Sequence, residues 1–210
     1  MRTQVSAVLL AAGSSTRMGR IKQLLPLSDG PVINYCLRNI IASGIKDIVV
    51  VLGKNSPELL DALRGFPVWV AINNTSQSEM ADSVRTGLGH IQASSTGVLV
   101  CLSDQPLVSV ETFKSLKELH CECPDKIIIP VCNGKKGHPT IFPPSTLKEI
   151  FPDLTLRQII TRDPGRVRYH DLSDEGTIID MDTMEDYLKV LEKSEKMPQP
   201  PLNRKEFKIH

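Results

Sequence analysis

The chain has 210 residues, 40% of them hydrophobic and 23% charged, enough to bury one α/β core of ordinary size. A formal net charge of +1 excludes the broad basic footprint that duplex nucleic acid requires, and 4% aromatics argue against a platform for stacking single-stranded bases. No apolar run approaches membrane-spanning length, and Met1–Arg2–Thr3–Gln4 leads into a strand-like run rather than a signal peptide, so a cytoplasmic protein with neither nucleic-acid nor membrane partners is expected.

In chain order, Val5 to Leu10 is an apolar run too short for a helix. Pro31 to Ser43 carries apolar residues at helical spacing, with Pro at the start and Gly44 as the stop. Asp47 to Leu52 reads as a strand covered on both faces. Ser56–Pro57–Glu58 opens the next helix with a cap, a proline and an acid. A strand at Val68 to Ile72, a helix at Met80 to Ile91 and a strand at Gly97 to Leu102 continue the alternation. Helix Val110 to His120, strand Lys126 to Val131 and a short strand at Thr140 to Phe142 follow. The last third is less regular: a helix near Leu154 to Thr161, strands around Val167 and Ile178, and a helix from Thr183, its cap, to Lys193.

This βαβα order predicts a Rossmann-like α/β/α sandwich on a mostly parallel sheet, one domain over residues 1–195, with a flexible tail at 196–210. Ligands of such sheets sit outside the carboxyl ends of the strands, here the loops after Leu10, Ile72 and Leu102. The cysteines Cys36, Cys101, Cys121, Cys123 and Cys132 are expected to be ordinary reduced thiols, since structural zinc sites use two spaced Cys/His pairs.

The loop after the first strand reads Ala11, Ala12, Gly13, Ser14, Ser15, Thr16, Arg17, Met18, Gly19, Arg20, Ile21, Lys22. Small residues there let backbone N–H groups approach an anion, while Arg17 offers a planar fork and Lys22 a point charge. The pattern is neither a P-loop nor a dinucleotide fingerprint, and a solvated strand-to-helix connection is the plain alternative. Ser103–Asp104–Gln105–Pro106 puts a carboxylate at a strand's carboxyl end, where Mg2+ is readily held, or forms an ordinary turn. Gly137–His138–Pro139 is a turn with an imidazole in it. Asp180 and Asp182, two acids spaced by one residue, either cap the following helix or supply a second metal carboxylate.

Leu10–Ala11–Ala12–Gly13, Ser15, Arg17–Met18–Gly19, Lys22 and Leu24–Leu25–Pro26–Leu27 resemble the signature of the MobA-like nucleotidyltransferases, in particular the molybdenum-cofactor cytidylyltransferase branch. The guanylyltransferase branch usually has a second Gly where this chain has Ala12. The resemblance spans roughly Val5 to Leu188 and implies that Arg17 and Lys22 contact a triphosphate. It also implies that Asp104, with Arg17 and Lys22, is catalytic and that Asp104 and Asp182 hold Mg2+, with Asp180 in reserve. Leu10, Ala11, Ala12, Gly13, Ser14, Asn73 and Ser83 would line the nucleotide, and Gln105 and His138 the acceptor. Three positions depart from the family pattern: Ser103 replaces a Gly, Gln77 a Trp and Glu79 a Gly.

The expected reaction is cytidylyl transfer from CTP to the phosphate of a molybdopterin-type acceptor, with pyrophosphate released. Alternatives are a guanylyl, sugar-phosphate or methylerythritol-phosphate transferase, or a non-catalytic accessory that hands cofactor to a molybdenum hydroxylase apoenzyme.

Overall fold

The computed structural model describes residues 3–13, 18–54, 56–75, 79–151 and 153–197, and the backbone of 208–209. From the N-terminus come β1 (Val5–Ala11), the ribbon β2 (Pro26–Leu27) and β3 (Gly30–Pro31), α1 (Val32–Ala42), β4 (Asp47–Gly53), α2 (Pro57–Ala62) and β5 (Trp69–Asn73). Next are α3 (Met80–Leu88), β6 (Gly97–Leu102), α4 (Val110–Glu122), β7 (Ile127–Cys132), β8 (Lys135–Lys136) and β9 (Thr140–Phe142). The chain continues through α5 (Pro144–Leu147), α6 (Leu156–Arg162), β10 (Val167–Asp171), α7 (Met184–Ser194) and β11 (Lys208–Ile209).

The main sheet runs β10-β7-β9-β6-β1-β4-β5-β11, with β8 beside β7. Pairing is parallel except where β9 runs antiparallel between β6 and β7, and β8 antiparallel to β7. The fold is the mostly parallel α/β architecture that the alternation predicts.

Strand order reverses at β1, which has β4 on one side and β6 on the other. The loops that leave β1 and β6 stand side by side at this reversal, lead to α1 and α4 on the same face of the sheet, and border a crevice at its carboxyl edge. That crevice is fixed by topology before any side chain is considered.

Side-chain alternation along β1 divides the core. Ala7, Leu9 and Ala11 pack with Leu37 and Ile40 of α1 and Phe113 and Leu116 of α4. Val8 and Leu10 pack with Ala81 and Val84 of α3 and Ile159 of α6. Both faces are covered, which is why these strands read as unbroken apolar runs. Gly87 lets α3 approach β1 and β4, because a Cβ there would collide with Val8 and crowd Val51.

Several boundaries differ from the sequence reading. The segment around Ile178 is a 3-10 turn, Glu175–Ile178, not a strand. Asp174 caps it by accepting the Gly176 N–H at 2.9 Å, and Gly176 packs against the Leu107 carbonyl, so turn chemistry outweighs the apolar run. Ser56 does not cap α2; its hydroxyl donates to the Gly53 carbonyl. Pro31 is the residue before α1, and Thr155 delays α6 to Leu156 by capping it. Thr183 caps α7, accepting the Asp186 N–H at 3.1 Å. Most of the tail lies outside the described residues, and Lys208–Ile209 pairs in parallel with β5.

Candidate active site

Four segments converge at the crevice: the end of β1 (Leu10, Ala12, Gly13), the end of β6 (Leu102 to Asp104), the first turn of α3 (Glu79, Met80, Ser83) and Lys22–Gln23. They enclose a cleft of about 210 Å3.

Lys22 lies in a single 3-10 turn, Lys22–Leu24, whose following ribbon is anchored on α7. The anchor is Tyr187, which donates its hydroxyl to the Pro26 carbonyl at 2.7 Å, within a cluster of Leu25, Leu27, Val32, Tyr35 and Met181. The Lys22 ammonium donates to Asp104 Oδ2 at 2.6 Å and to Asp182 Oδ1 at 2.8 Å. Burial works against its charge, but the two carboxylates outweigh that penalty and hold its pKa above the usual lysine value.

The two carboxylates come from distant segments held in register by a clip. Met181 N–H donates to the Asp104 carbonyl at 3.0 Å. Beside it, Gln105 Nε2 donates to Asp180 Oδ1 at 2.8 Å and to the Thr177 carbonyl at 3.3 Å. Asp180 is thus engaged by an amide while its neighbour Asp182 reaches the lysine.

These residues fit a divalent cation. Two hard carboxylate oxygens already converge on one positive charge, and Mg2+ needs only one or two carboxylates when phosphates complete its shell. No group of three or more His, Cys, Asp or Glu suited to a metal occurs among the described residues.

The other residues singled out by sequence divide. Leu10, Ala12, Gly13 and Ser83 line the cleft. Ala11 is buried in the first core, which leaves only its backbone for a ligand. Asn73 is buried at the end of β5 and donates to Ser83 Oγ at 3.1 Å, supporting the cleft wall from behind. Gln105 is buried with its amide donors committed to the clip, and Oε1 is its remaining atom. Ser14, Arg17 and Gln77 lie outside the described residues. Glu79, the departure from the family pattern, is the N-cap of α3, and Asp82 closes a capping box by accepting its N–H at 3.0 Å. A carboxylate at that positive helix end complements the dipole.

His138 follows Gly137, which has no room for a side chain because a Cβ would meet the Thr177 carbonyl. Its own N–H donates to that same carbonyl at 2.9 Å. Burial lowers the imidazole pKa, opposed by Asp180 and Asp104, and favours the neutral ring. His138 faces not the small cleft but a second cavity of about 460 Å3 between β7, β9 and α6. Met80 lines both. Sequence reading missed this cavity and also Gln23, a buried cleft residue directly after Lys22.

Comparison with known proteins fits the geometry. The family profile described as the MobA-like NTP transferase domain matches residues 7–164. The chain is 29% identical over 199 residues to nicotine blue oxidoreductase of Paenarthrobacter nicotinovorans, covering 89% of this chain and 96% of that protein. It is 24% identical over 193 residues to molybdenum cofactor cytidylyltransferase of Escherichia coli strain K12, covering 90% and 96%. Among solved structures, Rv0371c of Mycobacterium tuberculosis H37Rv is similar with a TM-score of 0.77 at 27% identity, covering 90% of this chain and 98% of that one. Rv0371c in complex with manganese gives a TM-score of 0.72 at 26% identity, with 90% and 99% covered.

Proposed function

The chain belongs to the MobA-like NTP transferase domain family, and from that premise we propose that it transfers the cytidylyl group of CTP to the phosphate of a molybdopterin-type acceptor. The observation that carries the reading is the grouping of Lys22, Asp104 and Asp182 at the topological switch point.

In this mechanism an acceptor phosphate oxygen attacks the α-phosphorus of CTP. A P–O bond forms to the acceptor, the bond between the α-phosphorus and the bridging oxygen breaks, and pyrophosphate leaves with its electron pair. A phosphate monoester is already a competent nucleophile, so no side chain needs to take a proton. Lys22 turns its ammonium toward the triphosphate and offsets charge on the departing pyrophosphate, with Arg17 as the second cation. Asp104 and Asp182 would hold Mg2+, which when bound neutralises phosphate charge and orients the reacting groups. Met181, Gln105 and Asp180 keep the two carboxylates in register. Ala12, in place of the second Gly of the guanylyl branch, favours cytosine.

The E. coli relative's name supports the acceptor assignment, and the manganese complex of Rv0371c supports a divalent cation. The Paenarthrobacter relative's name belongs to another reaction class. Pyrophosphate release should therefore be measured with each of CTP, GTP, ATP and UTP, using molybdopterin, glucose 1-phosphate and methylerythritol phosphate as acceptors, beside an NADH-oxidation assay. Release with CTP and molybdopterin alone supports the reading. Release with a sugar phosphate replaces the acceptor, and NADH oxidation without release overturns the reaction class. Tight CTP–Mg2+ binding with no turnover on any acceptor would mark a carrier that serves a molybdenum hydroxylase apoenzyme.

A further inference from the structure

Arg85 stands on α3 one turn after Asp82, and its guanidinium ties that helix to a distant part of the chain. Nη1 donates to Asp82 Oδ1 at 2.7 Å. Nε and Nη2 both donate to the Ile150 carbonyl, at 3.0 and 2.9 Å, and Nη2 also reaches the Leu154 carbonyl at 3.2 Å. Three nitrogens of one rigid plane thus engage a carboxylate and two backbone oxygens, 65 and 69 residues further along. A lysine has a single ammonium and cannot hold all three in one plane.

Each partner has a place in the architecture of the site. Asp82 Oδ2 accepts the Glu79 N–H at 3.0 Å, so the carboxylate that Arg85 grips is the one that closes the cap of α3. That capped turn supplies Glu79, Met80 and Ser83 to the smaller cleft. Ile150 ends a 3-10 turn, Lys148–Ile150, and is fully buried in the second core, which makes its carbonyl a fixed point. Leu154 directly precedes Thr155, the cap of α6.

The two ends of α3 are secured differently. At the far end Gly87 lets the helix lie directly on Val8 and Val51. At the cleft end Ala81 and Val84 bury one face, but Met80 is 48% exposed, and the polar side of the turn is held by Arg85. Arg85 is not among the described residues that line either cavity, so it acts through Asp82 and not on a ligand. A wall fixed before the ligand arrives binds it more tightly, because no ordering remains to be done on binding.

We propose that Arg85 is a positioning residue for the nucleotide cleft. By tying the capped first turn of α3 to the carbonyls of Ile150 and Leu154, it holds that wall ready for the nucleotide. This role rests on reading the smaller cleft as the nucleotide site.

The test compares wild type with Arg85→Gln, Arg85→Lys and Arg64→Gln in the full chain, the last removing an exposed ion pair with Asp61 beside α2. Calorimetry gives the Kd for CTP–Mg2+ at a temperature where melts show every variant folded, and electron paramagnetic resonance gives that for Mn2+ alone. Hydrogen exchange is followed at the Asp82 and Ser83 amides, which donate to the Glu79 carbonyl at 3.1 and 3.4 Å. Arg85→Gln should raise the CTP–Mg2+ Kd and speed exchange at both amides by about tenfold each, with Mn2+ affinity within about twofold of wild type. Arg85→Lys should recover part of both effects, and Arg64→Gln should match wild type. A lower melting temperature with an unchanged CTP–Mg2+ Kd marks a merely structural residue and overturns the proposal, as does equal weakening of Mn2+ and nucleotide. If Arg85→Gln does not fold, Arg85→Lys decides by the same criteria. If wild type binds no nucleotide, the reading of the cleft falls, and exchange decides the clamp: unchanged rates at Asp82 and Ser83 overturn it.

Discussion

Lys22 and Asp104, 82 residues apart in sequence, meet at 2.6 Å across the crevice between β1 and β6, and the same ammonium reaches Asp182 at 2.8 Å. A lysine thus sits on the two oxygens that a divalent cation would use. In the proposed mechanism lysine and cation would compete for those carboxylates until triphosphate offered the ammonium a better partner. Lys22→Met should therefore bind Mn2+ alone more tightly than wild type, by about tenfold, or roughly 1.4 kcal/mol of partly screened charge. Electron paramagnetic resonance of free Mn2+ measures it, and equal or weaker binding by the variant contradicts the competition.

Asp180 and Asp182 should separate into structural and functional acids. Asp180→Ala takes from the buried Gln105 amide the closer of its two acceptors, leaving the Thr177 carbonyl, and should cost about 1–3 kcal/mol in urea unfolding. Asp182→Ala, at a half-exposed site, should move stability by no more than about 0.5 kcal/mol while lowering turnover by roughly a hundredfold or more. Equal stability losses in the two variants would contradict the assignment.

Gly137→Ala drives a methyl against the Thr177 carbonyl, the group that also accepts the His138 N–H. Backbone cannot yield as a flexible side chain can, so about 1–3 kcal/mol of destabilisation is expected. With roughly 2–4 °C per kcal/mol for a chain of this size, thermal melts resolve it easily.

Stability should fall in mild acid. Burial lowers the pKa of His120 and of His138 below the ordinary 6.5, with Thr96 opposing at His120 and Asp180 and Asp104 at His138. The unfolded chain then binds these protons more readily than the folded one. Their contribution is complete above about pH 6.5 and is lost as pH falls below it toward the lowered folded values. His138→Gln should show a shallower loss than wild type between pH 7 and 5.5 in melts at matched ionic strength, and an identical slope would contradict the buried neutral imidazole.

Much of this was legible in sequence. Continuous apolar strands declared a sheet covered on both faces, and the resemblance carried by Lys22, Asp104 and Asp182 named the three side chains that the fold brings together. What escaped was pairing at long range. The Gln105–Asp180 bond joins residues 75 apart, and no local pattern announces it. The turn at Ile178 escaped because Asp174 and Gly176 outweigh an apolar run whose neighbours were unknown. The larger cavity escaped because its walls come from β6, β7, β9 and α6 and exist only once β9 inserts antiparallel between β6 and β7.

The central claim, that the crevice grips a nucleoside triphosphate through Lys22 and Asp104, is tested most directly by the thermal shift that each NTP–Mg2+ produces. A ligand at a hundred times its Kd stabilises by about 2.7 kcal/mol, or roughly 5–10 °C for a chain of this size. CTP–Mg2+ should raise the melting temperature of wild type by that much, GTP, ATP and UTP by less, and none of them should do so for Lys22→Met or Asp104→Asn. Equal shifts in wild type and both variants, or no shift with any of the four, would contradict the account.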